Sequence, residues 1–144
     1  MNNLSAHVIR PAKLSELPGI LAWIAECAAR QGFHADRINQ IEVAAEEALV
    51  NIMNYAYPDG NGTVEIRCTG TGPSSLVLEF IDTGSPFDVL SVPDPDLAIA
   101  LEDKEIGGLG VFLMKQLINH VEYRRDGAAN RLTFIIGETK DAAV

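Results

Sequence analysis

The chain has 144 residues, 47% of them hydrophobic, and carries a formal net charge of −9 at pH 7. A chain of this length is typical of one domain and can bury roughly two-thirds of the surface that it exposes when unfolded. The acidic charge excludes a basic stripe for a nucleic-acid backbone, and Arg124-Arg125 is the only close basic pairing in the sequence. We therefore expect a single domain over residues 1–144 without a direct nucleic-acid partner.

The first residues and the cysteines indicate a cellular compartment. No basic segment followed by an apolar run opens the sequence, and no stretch approaches the roughly 18 apolar residues of a membrane span. Cys27 and Cys68 stand alone, without the spacing of a metal site. We expect a cytoplasmic protein that does not bind a membrane and that keeps both cysteines as buried thiols.

The chain begins with a predicted strand and a predicted helix. Residues 6–10 form a short β-rich run that ends at Pro11. Over residues 14–31 apolar side chains recur at helical spacing. Ser15 is the predicted N-cap of this helix and Gly32 its predicted stop.

A second helix and a hairpin follow. The helix is predicted to begin with Asp36 as its N-cap and to end at the turn-forming segment 57–60. Two β-rich runs, residues 62–69 and 76–81, are separated by the glycine- and proline-containing segment 70–73. We expect these two strands to pair antiparallel.

The second half contains a long irregular segment and then regular elements. Residues 83–107 hold three prolines and an acidic run, with one short helix possible at 96–101, and we interpret the later part of this segment as a lid. A helix and two strands are predicted over residues 110–120, 121–125 and 131–136. Asp126-Gly127 marks the turn between the strands. The predicted fold is an α+β two-layer sandwich, with helices on one face of a mainly antiparallel mixed sheet.

The second predicted helix carries a polar stripe beside its apolar face. Glu47, Asn51 and Tyr55 follow one another at four-residue spacing and therefore share one side of the helix. An amide oxygen at Asn51 is a hard ligand suited to Mg²⁺, and Glu47 could polarise a hydroxyl or a water molecule. The alternative is a solvated helix face, because Glu42 and Glu46 lie on the same helix.

The end of the predicted strand 76–81 offers a second candidate group. Asp82 follows the apolar residues Phe80 and Ile81, so its carboxylate should be partly buried and require a donor. The exocyclic amine of adenine is such a donor, and Gly84 would leave room for the purine beside the backbone. The alternative is an ordinary Asp-Thr-Gly turn.

A glycine turn before the helix at residues 110–120 is the third candidate. Gly107, Gly108 and Gly110 allow the backbone to direct several N–H groups at an anion, and the helix dipole favours negative charge there. A flexible connection to the helix explains the glycines equally well. The sequence contains neither a Walker A motif nor the context of a dinucleotide fingerprint.

Taken together, these segments resemble a known family. The runs are E-A-L-V-N followed by N-Y-A-Y-P, then D-T-G-S-P-F-D, G-G-L-G-V-F-L-M-K-Q-L and V-E-Y-R-R-D-G. They are similar to the N, G1 and G2 boxes of the GHKL ATPase superfamily. Within it they resemble most the anti-sigma factor serine kinases of bacterial partner-switching systems. The resemblance extends from the first predicted strand to Ile136.

The resemblance implies a role for individual residues. Asn51 would bind Mg²⁺, Glu47 would be the general base, and Asp82 would hold the adenine amine. The family often has a basic residue directly before its last glycine turn, where this chain has Ile106. The remaining implied nucleotide-binding residues are Gly84 under the ring, the phosphate-facing Gly107, Gly108 and Gly110, and Thr133 as the late-strand threonine near adenine.

The resemblance also implies a fold and a function. It implies a Bergerat-type fold that binds ATP with Mg²⁺, binds a sigma factor and phosphorylates a serine of an anti-sigma factor antagonist. One alternative is a partner-switch module that binds nucleotide without kinase turnover. A catalytic fragment of a histidine kinase is disfavoured, because no helix pair with a phosphoacceptor histidine precedes the domain; His34 and His120 fall at predicted helix ends. A homodimer is possible through the first helix and strand.

Overall fold

Five strands form one sheet, and alternating side chains give it one apolar face. The computed structural model describes residues 3–91 and 109–142. The strand order is β1-β2-β3-β5-β4, and all four pairings among these described strands are antiparallel, so the predicted mixed character is not found there. The strands are Ser5–Pro11 (β1), Thr63–Gly72 (β2), Ser75–Asp82 (β3), His120–Asp126 (β4) and Ala129–Ile136 (β5).

Three α-helices occur in the described part of the chain. They are Leu17–Arg30 (α1), Ala35–Tyr55 (α2) and Leu109–Leu117 (α3). Short 3-10 turns lie at Leu14–Glu16 and Val89–Ser91. None of the described helices is both long and apolar enough to cross a membrane.

The core lies between the helices and one face of the sheet. Every second residue of β3 and β5 is buried, as the period of two in a strand requires. At the centre, the rings of Phe80 and Phe134 pack edge to face with centroids 5.2 Å apart. The predicted α+β two-layer architecture is confirmed. The largest fully buried side chains of the helices are Ile20, Ile24, Ile41, Leu49 and Met114.

The first helix begins later than the sequence pattern predicts. Leu14–Glu16 is a 3-10 turn, and α1 starts at Leu17 with Glu16, rather than Ser15, in the N-cap position. Pro18 suits the observed start, because it has no N–H to donate and lies in the first turn, where the N–H groups have no partner within the helix.

The second helix begins one residue before the predicted cap. His34 is the N-cap residue of α2, and Asp36 lies within the first turn. Asp36 therefore acts on the helix through its charge near the positive end of the dipole rather than as a cap. The predicted antiparallel pairing of the next two strands is confirmed, with Ile66 opposite Phe80 in the register.

The later elements differ from the prediction at one boundary. α3 ends at Leu117, and His120 is the first residue of β4, paired with Ile135, instead of the end of a helix. The turn at Asp126-Gly127 is confirmed, and Gly127 has φ +62°. The predicted short helix at 96–101 and the predicted lid lie outside the described residues.

Both cysteines are buried and free, as the sequence predicted. Cys27 on α1 and Cys68 on β2 interact inside the core. Their hydrogen bond and the burial of Cys68 raise the pKa of the Cys68 thiol far above its ordinary value. The same hydrogen bond lowers the pKa of Cys27.

Candidate functional site

Asp82 ends β3 on the face of the sheet that the helices cover. The alternation that buries Phe80 also buries Asp82, which is 5% exposed, so the predicted burial of this carboxylate is confirmed. Its Oδ1 accepts hydrogen bonds from the Gly84 N–H and from Asn130 Nδ2, each at 2.9 Å. No described group donates to Oδ2. One carboxylate oxygen therefore remains available to a donor from outside the protein.

Asn130 holds this carboxylate in place. It lies directly opposite Asp82 in the β3–β5 register and is 6% exposed. Its Oδ1 accepts from the Tyr123 hydroxyl at 2.5 Å and from Arg125 Nη1 at 3.2 Å. Arginine can only donate, so the amide oxygen faces Arg125 and the NH₂ group faces Asp82. The orientation of the Asn130 amide is thus determined by its neighbours.

Asn130 was not among the residues predicted from the sequence. Its NH₂ group also donates to the Ser85 carbonyl at 2.9 Å, so Asn130 links Asp82 at the end of β3 to Ser85 three residues later. The available signal was the Asp126-Gly127 turn, because a two-residue hairpin turn sets the register of the strands on either side.

A pocket opens beside Asp82, between α2 and the sheet. Its polar lining includes Asn51, Asp82 and Asn130. A few convergent polar groups within apolar walls are typical of a site for a flat heterocycle. The apolar walls are formed by Ile52, Ala56, Phe80, Phe87, Val89 and Leu132.

The pocket is small, and Phe87 is one of the residues that line it. Its free volume is about 30 Å³, which corresponds to little more than one or two water molecules. Phe87 is 44% exposed, and its ring contacts that of Tyr55 at a centroid distance of 6.3 Å.

One residue of the polar stripe predicted on the second helix, Asn51, reaches this pocket. Asn51 lines it, and no described residue hydrogen-bonds the Asn51 side chain, so its amide oxygen is free to bind a cation. Glu47 lies one turn earlier and is half-buried. Burial, and secondarily the charge of Glu46, raises the pKa of the Glu47 carboxyl group. No group of three or more potential metal-ligating side chains occurs within residues 3–91 and 109–142.

Gly110 brings α3 against Glu47. A Cβ atom at this position would overlap the Glu47 carboxylate, so with any larger residue that carboxylate would have to turn away. The predicted base and the first turn of α3 are therefore neighbours. Gly107 and Gly108 lie outside the described residues.

The packing of the chain against α2 requires a glycine at position 84. A Cβ at Gly84 would collide with the carbonyl oxygen of Ala56, and the Ser85 N–H donates to that same oxygen at 2.8 Å. The segment after β3 thus packs directly on the end of α2. The room that Gly84 would leave for a purine stays a prediction.

Thr133 does not lie in the pocket. Because Asn130 and Leu132 face the helices, the pleat of β5 directs Thr133 to the opposite face of the sheet. There it lies across from Glu79 on β3 and Glu122 on β4. The residue of β5 beside Asp82 is Asn130, and the predicted position of Thr133 near adenine is corrected accordingly.

Comparison with known proteins identifies relatives over most of the chain. A model of the histidine kinase-like ATPase domain matches residues 10–136. The serine-protein kinase RsbW of Halalkalibacterium halodurans is 31% identical over 121 residues, covering 81% of this chain and 73% of the relative. The serine/threonine-protein kinase BtrW of Bordetella bronchiseptica is 28% identical over 113 residues, covering 78% of this chain and 80% of the relative.

A solved structure shares the fold. This chain superposes on the solved structure of the RsbU and RsbW domains of a Mycobacterium tuberculosis protein with a TM-score of 0.61 at 17% identity, and the match covers 93% of this chain. This chain corresponds to 32% of the length of that solved chain. On the family match and the RsbW likeness together, the chain belongs to the histidine kinase-like ATPase family, among proteins similar to the RsbW-type serine-protein kinases.

Proposed function

We propose that this protein is an ATP-dependent protein serine kinase of a bacterial partner switch. It binds a sigma factor and phosphorylates a serine of an anti-sigma factor antagonist in the cytoplasm, as a single ATPase domain. The observation that carries the proposal is the oxygen of the buried Asp82 to which no described group donates, in one pocket with the Asn51 amide, which has no described partner. The names of the related RsbW and BtrW kinases support the same activity.

The Asp82 pocket suits adenine. Asp82 Oδ2 is an acceptor in an apolar site, so it favours a base with an exocyclic amine over one with a carbonyl at that position. Phe80 and Leu132 offer apolar surface to the ring faces. Gly84 and Asn130 hold Oδ1, which leaves the carboxylate without rotational freedom before the base arrives.

The Asn51 side of the pocket suits the triphosphate. Asn51 would hold Mg²⁺, whose remaining ligands would be phosphate oxygens and water, and the metal would neutralise charge on the phosphates. Backbone N–H groups around Gly110 lie at the start of α3, where the helix dipole favours anions. Gly107 and Gly108 belong to the same proposed phosphate-binding turn.

Glu47 is the proposed base. The serine hydroxyl oxygen of the antagonist attacks the γ-phosphorus, the bond to the β,γ-bridging oxygen breaks, and ADP leaves. Glu47 accepts the hydroxyl proton. Its raised pKa suits this task, because a stronger base removes the proton more readily in the transition state.

The test combines binding and phosphoryl transfer. The purified chain is incubated with labelled ATP, Mg²⁺ and candidate antagonist proteins, and label on an antagonist serine is the expected result. ATP at about a hundred times its Kd should raise the free energy of unfolding by roughly 2.7 kcal/mol. Binding without label on any antagonist would favour the alternative, a nucleotide-binding module without turnover.

Two substitutions connect this test to the pocket. Asp82→Asn should weaken ATP binding, because it replaces one acceptor by an amide that can present its NH₂ group to the base. Asn51→Ala should weaken Mg²⁺-dependent ATP binding and turnover together. Unchanged affinity in both variants, or no thermal shift with millimolar ATP and Mg²⁺, would contradict the proposal.

A further inference from the structure

Arg37 is a buried charge to which no carboxylate among residues 3–91 and 109–142 is bonded. It lies in the first turns of α2 and is 3% exposed. Its guanidinium donates to four neutral acceptors at 2.6–2.9 Å. These acceptors are the Leu117 carbonyl, the Gly137 carbonyl, Asn119 Oδ1 and Gln40 Oε1.

The Leu117 carbonyl is the acceptor that connects Arg37 to α3, the helix whose first turn contains Gly110. It belongs to the last turn of α3, whose carbonyl groups lack partners within the helix and carry the negative end of the dipole. Arg37 donates to it at 2.6 Å and so supplies both a hydrogen bond and a compensating charge. Burial lowers the pKa of Arg37, and the nearby charge of Glu138 opposes that effect.

Asn119 makes this contact part of a larger junction. Its Oδ1 accepts from both Arg37 and the Gly137 N–H, and its NH₂ group donates to the Thr139, Lys140 and Ala142 carbonyls. The start of α2, the end of α3, the end of β5 and the tail behind it are thus joined at one place. The C-terminal end of α3 cannot slide without breaking several of these bonds.

The two ends of α3 contact α2 at two different positions along its length. Gly110 packs on Glu47, whereas Leu117 is bound by Arg37, which lies ten residues earlier on α2. α3 therefore runs antiparallel to α2. Because an α-helix is a stiff rod with a rise of about 1.5 Å per residue, fixing one end sets the position of the other.

We propose that Arg37 is a positioning residue for the terminal phosphate of ATP. By holding the last turn of α3, it sets where the backbone at Gly110 stands relative to Glu47 and to the proposed phosphate site. The inference rests on the proposed nucleotide binding. It makes Arg37 a determinant of affinity for the phosphates and not for the base, whose contacts Asp82 and Asn130 lie on the strands.

The test compares ATP with adenosine, both with Mg²⁺, by calorimetry on the full chain. Adenosine probes the base pocket alone. Arg37→Met should lower the ratio of the adenosine Kd to the ATP Kd by about tenfold, the effect of misplacing one or two hydrogen bonds to a charged group. Arg37→Lys, which keeps the charge but not the planar fork, should give an intermediate ratio.

His34→Gln is the matched control. His34 bonds to Glu138 next to the same junction, and its largely exposed side chain has no hydrogen bond to α3 among the described residues, so its substitution should leave the ratio unchanged. Equal weakening of ATP and adenosine in both Arg37 variants would overturn the inference and leave Arg37 a stabilising residue only. If Arg37→Met does not fold, Arg37→Lys decides by the same ratio. Wild-type protein that binds neither ligand would overturn the proposed function itself.

Discussion

At the scale of single residues, the raised pKa of Glu47 leads to a prediction about pH. The rate of phosphoryl transfer should rise as Glu47 loses its proton, with a midpoint above the ordinary glutamate value of about 4.3. Glu47→Gln should remove this limb and lower kcat by roughly a hundredfold or more, with ATP affinity nearly intact. Steady-state kinetics across the acidic range would measure both effects.

Glu46→Gln is the control for this assignment. The charge of Glu46 contributes to the raised pKa of Glu47, so its removal should move the limb to lower pH without abolishing it. The free energy of unfolding changes with pH in the opposite direction to the rate. Because folding raises the pKa of Glu47, its contribution is lost as pH rises above the unfolded value, and Glu47→Gln should flatten this dependence. A Glu47→Gln variant with the wild-type rate would refute the assignment of the base.

A second residue-scale prediction concerns Asn130. Asn130→Ala removes one of the two donors on Asp82 Oδ1, so the carboxylate gains freedom to rotate away from the base. ATP should bind about tenfold more weakly, and the preference for ATP over inosine triphosphate, which has a carbonyl in place of the amine, should shrink. Competition binding measures this preference. Thr133→Val, on the opposite face of the sheet, should change neither value; a shift there would contradict the site.

The residues that the sequence identified and those that it missed differ in a physical way. Glu47 and Asn51 share a helix face at four-residue spacing, and Asp82 follows its strand directly, so local periodicity was enough to single them out. Asn130 acts on Asp82 through a contact across 48 positions of the chain. Such a contact depends on strand register, and an error of one residue exchanges the two faces of a strand, which is why Thr133 was misplaced.

At the scale of elements, the contact between α2 and α3 predicts an unusual result for Gly110→Ala. Alanine favours a helix over glycine by about 1 kcal/mol, so the exchange would ordinarily stabilise α3. Here the added methyl group meets the movable end of the Glu47 side chain, so we expect part of that gain in stability to be lost and kcat to fall as the carboxylate turns away. Chemical denaturation and kinetics provide the two readouts.

Gly19→Ala is the matched control for Gly110→Ala. Gly19 also lies in a helix, α1, but an added Cβ there meets nothing within 4 Å. This variant should gain up to about 1 kcal/mol. A Gly110→Ala variant with the full stability gain of Gly19→Ala and the wild-type kcat would show that the added methyl group does not disturb Glu47.

Element boundaries were predictable where a residue restricts the backbone and less so elsewhere. The Asp126-Gly127 turn was predictable because a tight hairpin turn needs a positive φ, which glycine adopts readily and which Gly127 has. The start of α1 was predicted too early, because the apolar period of the helix extends back to Leu14. In the structure α1 begins at Leu17, with Pro18 in its first turn. The end of α3 depends on Arg37, whose partner lies 80 positions away, and no local signal reports that contact.

At the scale of the whole molecule, the two-layer fold followed from alternation in the strands and from the stripes on the helices. The order of the strands in the sheet could not be predicted from these local patterns. β5 lies between β3 and β4, and this arrangement brings Asn130 next to Asp82 while α2 covers both. The sequence predicted Asn51 and Asp82 separately and gave no signal for Asn130, and the sheet order explains why the three meet.

The pairing of β3 with β5 also has a kinetic consequence. Asp82 and Asn130 meet only after a long stretch of chain has closed, and such distant pairings tend to form late in folding. Saturating ATP should therefore slow unfolding and leave the refolding rate constant almost unchanged, because the transition state does not yet contain the pocket. Stopped-flow denaturant jumps with and without ATP and Mg²⁺ measure both limbs, and faster refolding with ATP would mean that the pocket forms early. In that order of events, a bound nucleotide prolongs the life of molecules that have already folded and gives no help to those still folding.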